Sequence, residues 1–302
     1  MSAPAQPVFD PRDLARVENL ELLASRVVDG LLSGRHRSKL KGGSAEFTEH
    51  RGYVPGDEIR LIDWKVFGKS DRYYIRQYIE QTCLQVVVAL DASGSMAFGT
   101  EGGTKFAYAR AVAACLTRLV LRQSDSAGLA VFGNPAGTYV PPRANPGHFQ
   151  ALLRTLGEAR PAGEAALASG LTDLARRIRR RGLIVLLSDC FEELPALQQA
   201  LRFLRSRGDE VILLHTLARE ELTFEFGGWS RFECLEVEGR RIDLDPALIR
   251  QEYLENVRQF LAELKRICGE TGCDYQALPT DRPLGESLAY YLQRRSARLK
   301  QT

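Results

Sequence analysis

The sequence predicts an α/β fold: a mainly parallel sheet with helices on both faces. Three observations lead there. Short, unbroken apolar runs rich in branched residues (Val86–Leu90, Ala127–Phe132 and Leu183–Leu187) have the length of strands buried on both sides. Between such runs, apolar residues recur at helical spacing, so strand and helix alternate from residue 84 to residue 278. Two of the runs stop abruptly at polar loops, Asp91–Ser95 and Ser188–Asp189, at the carboxyl ends of their strands. Open α/β sheets place their sites at that edge.

The elements follow in order. Residues 1–12 read as a loosely docked tail. Leu14, Val17, Leu20, Ala24, Val27 and Leu31 predict a helix from Asp13 to Leu32, closed by Gly34. Arg35 to Lys41 is a basic loop, read as solvated surface ahead of an anion contact. Residues 47–81 have β character, including IRLIDWKV at 59–66, and Pro55-Gly56 suits a type II turn. Asp57, Arg60, Asp63 and Lys65 are close enough in sequence to pair with Arg51 or Arg76, with Trp64 as the apolar anchor.

After the strand Val86–Leu90, a Gly-rich segment at Gly99–Gly103 precedes a helix starting near Lys105. Thr138–Val140 reads as a short edge strand, and Phe149, Leu152, Leu153 and Leu156 mark a short helix. A further helix begins near Glu164 and ends in the Arg176–Arg181 run, where cations oppose the carbonyl end of the helix dipole. Leu194–Leu204 is helical, Val211–Leu214 is a strand, and His215 beside it is a packed core residue. Phe224–Leu244 breaks the alternation and reads as a β-hairpin turning at Glu238-Gly239-Arg240. The helix Pro246–Ile267, the strand Tyr275–Leu278 and a C-terminal amphipathic helix complete the chain. The division is residues 1–80, then 81–280 with the hairpin insertion at about 222–245, then 281–302.

Asp91-x-Ser93-x-Ser95, behind a buried strand, resembles the DxSxS signature of von Willebrand factor A (vWA) domains. Upstream, the Arg51–Lys65 stretch RGYVPGDEIRLIDWK resembles a block of the bacterial domain-of-unknown-function 58 proteins, which carry a vWA-like domain. In that stretch Arg51, Tyr53, Pro55, Gly56, Asp57, Arg60, Asp63, Trp64 and Lys65 carry the likeness. The resemblance implies a metal-ion-dependent adhesion site (MIDAS) holding Mg²⁺ or Mn²⁺ through Asp91, Ser93, Ser95 and Asp189. A threonine usual in the third loop is replaced by Ala165, so the site holds its metal with one more water, holds it through Glu164 as a substitute ligand, or is vestigial. The resemblance also implies a protein-interaction module that works with a MoxR-class AAA-type ATPase in chaperone-like assembly or activation of other proteins. Two other readings stay open: a Mg²⁺-dependent phosphoester hydrolase, and an RNA-binding protein using Arg35–Lys41 and Arg176–Arg181.

Composition narrows these choices. The 302 residues are 44% hydrophobic, and 41 Lys and Arg offset 38 Asp and Glu, so no general attraction to nucleic acid follows. No apolar run approaches the ~18 residues of a membrane helix. The N-terminus lacks the pattern of a secretory signal, so a cytoplasmic location is expected. The six cysteines, at 83, 115, 190, 234, 268 and 273, form no CxxC pair and are expected as reduced thiols. No Walker A pattern, GxGxxG or GxSxG elbow is present, and no histidine falls at the DxSxS loop, so catalysis ranks behind binding.

Overall fold

The computed structural model describes residues 20–34, 47–54, 62–70, 72–78, 84–99, 103–133, 137–145, 147–237 and 239–298. The chain divides into two compact units, one of residues 39–83 and one of the remainder.

In the smaller unit, strand β1 (Phe47–Gly52) pairs antiparallel with β2 (Tyr74–Tyr78), matching His50 to Arg76 and Gly52 to Tyr74. The stretch expected to stay extended through residue 66 instead turns helical at Trp64–Ser70. Asp63 accounts for the change. Its Oδ1 accepts from the Val66 N–H at 3.3 Å and its carbonyl accepts from the Phe67 N–H at 3.0 Å, which satisfies donors at the helix start. Trp64 is not the buried anchor, being 58% exposed. Half-buried Phe67 stacks on Tyr73 with ring centroids 4.5 Å apart, and Trp64 meets Phe67 edge-on. Tyr53 donates its N–H to the Tyr73 carbonyl, and Asp63 is buried. Pro55, Gly56, Asp57, Arg60, the side chains of Arg51 and Lys65, and the basic loop Arg35–Lys41 lie outside the described residues.

The larger unit is built on a six-stranded sheet. In chain order its elements are helix α1 (Leu20–Gly34), β3 (Gln85–Asp91), α3 (Lys105–Arg122), β4 (Ser126–Phe132), β5 (Thr138–Arg143), α4 (His148–Glu158), α5 (Leu167–Arg177) and β6 (Leu183–Ser188). There follow α6 (Leu194–Ser206), β7 (Glu210–Leu217), α7 (Arg219–Thr223), β8 (Ser230–Glu233), β9 (Arg241–Leu244), α8 (Pro246–Thr271), β10 (Asp274–Pro279) and α9 (Leu284–Arg298); α2 is the Trp64–Ser70 helix of the smaller unit. The strand order is β10-β7-β6-β3-β4-β5, parallel except for β5. The chain winds outward from β3 in both directions, so the switch point lies between β3 and β6.

Alternation along the central strands makes two cores. Val86, Val88, Leu90, Val185 and Leu187 face one, shared with Leu23 and Val27 of α1, Leu152 of α4 and Leu288 of α9. Val87, Ala89, Ile184 and Leu186 face the other, covered by Leu171 of α5, Leu201 of α6 and Leu264 of α8. Helices α1 and α9, which the sequence sets apart from the sheet, thus pack into the first core.

Three boundaries differ from expectation. The edge strand β5 continues through Pro141 and Pro142, which an edge tolerates because one side of the ladder needs no donors. Helix α5 starts at Leu167 rather than near Glu164, after Gly163 at φ +78. Its cap comes from another loop, where Glu192 Oε2 accepts from the Ala168 N–H at 2.8 Å. The hairpin strands begin at Ser230 rather than Phe224, with β8 and β9 antiparallel, and Glu238 of the turn is outside the described residues. No helix among the described residues is long and apolar enough to cross a membrane.

Because Leu171 is fully buried in the second core, Leu171→Ala should cost about 2–5 kcal/mol. Urea unfolding should show this as a lower midpoint with an unchanged slope.

Candidate metal and interaction site

Strand β3 ends at Asp91, which is 2% exposed and joins the two sides of the switch point. Its Oδ1 accepts from the Ser93 N–H at 2.8 Å, and its Oδ2 accepts from the Ser188 hydroxyl, at the end of β6, at 2.5 Å. Ser188 Oγ in turn accepts from the Cys190 N–H at 2.8 Å. Beyond Asp91 the chain makes a 3₁₀ turn at Gly94–Ala97, and the hydroxyls of Ser93 and Ser95 stand 3.1 Å apart. Neighbouring loops hold this turn. The Gly94 N–H donates to the Gly163 carbonyl at 2.8 Å, and the Ala162 N–H donates to the Ala92 carbonyl at 2.9 Å. Burial, and then the charge of Asp189, raises Asp91 from the ordinary carboxylate value to about 6, while the hydrogen bonds from Ser188 and Ser93 oppose the rise.

The second expected carboxylate is already engaged. Asp189 Oδ2 accepts from Lys105 Nζ at 2.6 Å, and Glu221 Oε1, from α7, accepts from the same ammonium at 2.5 Å. Lys105 has 0% exposure, and its charge also lies 4.7 Å from the Phe191 ring centroid. Asp189 Oδ1 accepts from the Phe191 N–H at 3.2 Å, and Glu221 Oε2 accepts from the Ala218 N–H at 2.8 Å. Burial raises the Glu221 carboxyl above its usual range, against the pull of Lys105.

His215, expected as a core residue, is fully buried in β7. Its Nε2 lies 2.9 Å from the Asp189 carbonyl, which can only accept, so Nε2 carries the proton and Nδ1 accepts from the Tyr275 hydroxyl at 2.9 Å. Burial lowers its pKa to about 4, so the ring is neutral at physiological pH. Burial also pushes the Cys190 thiol well above its ordinary value.

Among the described residues, no group of three or more His, Cys, Asp or Glu is placed to hold a metal. A site made of one carboxylate and hydroxyls is a different donor set. The Asp91 oxygens keep lone pairs beyond their hydrogen bonds from Ser93 and Ser188, and among the described residues no ion pair reaches them. Asp91, Ser93 and Ser95 therefore fit a hard ion such as Mg²⁺ or Mn²⁺ with water in the remaining positions, and Asp189 adds charge from beside it. Glu164 is exposed and lines a cleft of about 600 Å³ between β4, β5 and α5, along with Phe132, Tyr139 and Arg177. Ala165 lies in the same loop, two residues past the Gly163 contact.

Lys105, Glu221, Ser188 and Glu192 were not picked out from the sequence. Lys105 carries a signal: a cation in the first turn of a helix opposes the dipole and needs a carboxylate from elsewhere. Of the arginine run, Arg176 pairs with Asp173 at 3.0 Å, and Arg176 and Arg177 fill the last turn of α5.

These features define an α/β domain of the vWA-like class, with its polar loops gathered at the switch point. The chain belongs to the family described as "Protein of unknown function DUF58", whose model matches residues 49–262. Uncharacterized proteins Rv1480 of Mycobacterium tuberculosis and Mb1516 of Mycobacterium bovis are each 30% identical to it over 297 residues, covering 97% of this chain and 93% of theirs. Among solved structures, BatB from Bacteroides thetaiotaomicron is similar with a TM-score of 0.46 and 14% identity, covering 71% of this chain and 99% of its own. An aerotolerance-related membrane protein from Bacteroides fragilis gives 0.48 and 18%, covering 68% and 96%. The SpRpn10 VWA domain gives 0.37 and 12%, covering 68% and 94%.

Two stability measurements follow. Lys105→Met leaves Asp189 and Glu221 buried without their cation and should cost about 3–5 kcal/mol, part of it recovered by adding Glu221→Gln. Asp91 behaves in the opposite sense. Its folded pKa is raised, so its contribution is present below its ordinary value of 3.8 and is lost as pH rises through about 6. In chelator at pH 7, Asp91→Asn should therefore stabilise the fold by about 1–3 kcal/mol and flatten the stability profile between those two pH values.

Proposed function

We propose that the chain is a non-enzymatic protein-interaction module whose DxSxS loop takes up a divalent cation, with a partner's Asp or Glu completing the coordination. Asp91, Ser93 and Ser95 would hold the ion, and Asp189, fixed by Lys105, would add negative charge nearby. The observation that carries this reading is a buried, un-neutralised Asp91 beside two hydroxyls 3.1 Å apart at the switch point of the sheet. The ion would supply an attachment point for an anionic side chain. On family resemblance, the partner would be a MoxR-class AAA-type ATPase, and the pair would act in chaperone-like assembly or activation of other proteins.

The chemistry around the loop supports binding over turnover. His215 is neutral and hydrogen-bonded at both nitrogens, and the Cys190 thiol is held in its protonated form by burial. Neither is poised as a base or nucleophile near neutral pH.

Calorimetric titration of Mg²⁺ and Mn²⁺ tests the site. Wild type should bind one ion, Asp91→Ala should bind none, and Ala165→Thr should tighten binding several-fold by adding a neutral oxygen ligand. Capture of the ATPase should fail in chelator and in Asp91→Ala. Wild type that binds neither ion, with nothing restored by the threonine, would contradict the reading.

A further inference from the structure

The β8–β9 hairpin ends against the loop just described. A β-carbon on Gly94, the residue between Ser93 and Ser95, would stand 2.0 Å from the Leu235 carbonyl oxygen and 3.1 Å from Glu236 Cα. Only a glycine backbone permits so close an approach. The hairpin tip therefore packs on the backbone between the two serines, where Ser93 is fully buried.

Its root is fixed by packing. Phe224, in the left-handed region at φ +48, ends α7. The Phe224 ring stacks on Tyr253 at 4.1 Å and on Phe232 at 6.0 Å, and Phe226 meets both phenylalanines edge-on. One turn earlier, Glu221 is held by Lys105.

The tip carries a carboxylate with unmet demand. Glu236 Oε1 is buried and has no hydrogen-bond partner among the described residues. Glu236 also lies near enough to Glu192 for its charge to help raise the Glu192 pKa, behind burial and the charge of Glu193. A buried carboxylate oxygen without a hydrogen-bond donor is costly, and a cation beside it removes that cost.

We propose that the hairpin tip is an internal ligand of the DxSxS site: Leu235 and Glu236 occupy the approach that a partner's acidic side chain would use, and the partner binds by displacing them. This rests on the divalent-ion reading above. A tethered carboxylate competes at a high effective concentration, and an external ligand sees its affinity reduced by the fraction of molecules in which the hairpin is lifted. The incoming ligand is an acidic segment of another protein, chemically matched to the Glu236 it replaces.

The test uses the full chain as wild type, Glu236→Gln and Gly94→Ala, with circular dichroism to confirm folding. Three readouts are taken with and without Mg²⁺: hydrogen exchange across residues 230–245, calorimetric Mg²⁺ affinity, and anisotropy of a fluorescein-labelled Gly-Glu-Gly peptide. Mg²⁺ should slow exchange at the tip in wild type and not in Glu236→Gln. Gly94→Ala, whose methyl forces the tip away, should exchange faster and bind the peptide about tenfold tighter than wild type. If Gly94→Ala does not fold, Glu236→Gln decides the matter through exchange and peptide affinity. Mg²⁺ binding by wild type, with exchange and peptide affinity equal in the folded variants, overturns the internal ligand and leaves the ion site standing. No Mg²⁺ binding by wild type overturns both.

Discussion

The polar edge of this protein depends on one buried ammonium. Lys105 sits in the first turn of α3, where the helix dipole disfavours a cation, and its side chain is wholly removed from water. Two carboxylates from separate elements make that position tolerable: Asp189 after β6 and Glu221 in α7. Satisfying one lysine therefore fixes three parts of the chain relative to one another, at the place where the sheet reverses its winding. It also anchors α7, from which the hairpin departs.

The same interaction gives two neighbouring carboxylates different fates. Asp189 faces a cation supplied by the chain. Among the described residues Asp91 has hydrogen bonds from Ser93 and Ser188 and no ion pair, and burial, then the charge of Asp189, raise its pKa to about 6. The β6 side thus has a cation of its own, and among the described residues the β3 side has none. A site that must bind and release an outside cation needs such an imbalance, since a fully paired carboxylate would have little to gain from a metal. The hairpin adds a layer of control, because a loop covered by its own chain answers only to partners able to compete with the cover.

Much of the sheet was legible in the sequence. Val86–Leu90, Ala127–Phe132 and Leu183–Leu187 are apolar on both faces, and only a strand sandwiched between helix layers needs that pattern. The DxSxS loop was legible for the same reason, since a carboxylate directly after such a strand falls at the functional edge. Most of what escaped depended on partners distant in sequence. Asp63 ends a β-like run because its own oxygens satisfy the next turn, a local effect hidden among alternating charges. The start of α5 depends on Glu192, more than twenty residues onward, and Lys105 on residues 84 and 116 positions away. The contact of Leu235 with Gly94 is made by backbone, and the sequence shows only a glycine between two serines.

Anomalous scattering from crystals soaked in Mn²⁺ tests this division of charge most directly. One peak among the oxygens of Asp91, Ser93 and Ser95, with the Lys105 ammonium still between Asp189 and Glu221, is the expected result. A peak between Asp189 and Glu221 with the lysine displaced, or no peak at the loop when the ion is in excess, would contradict it.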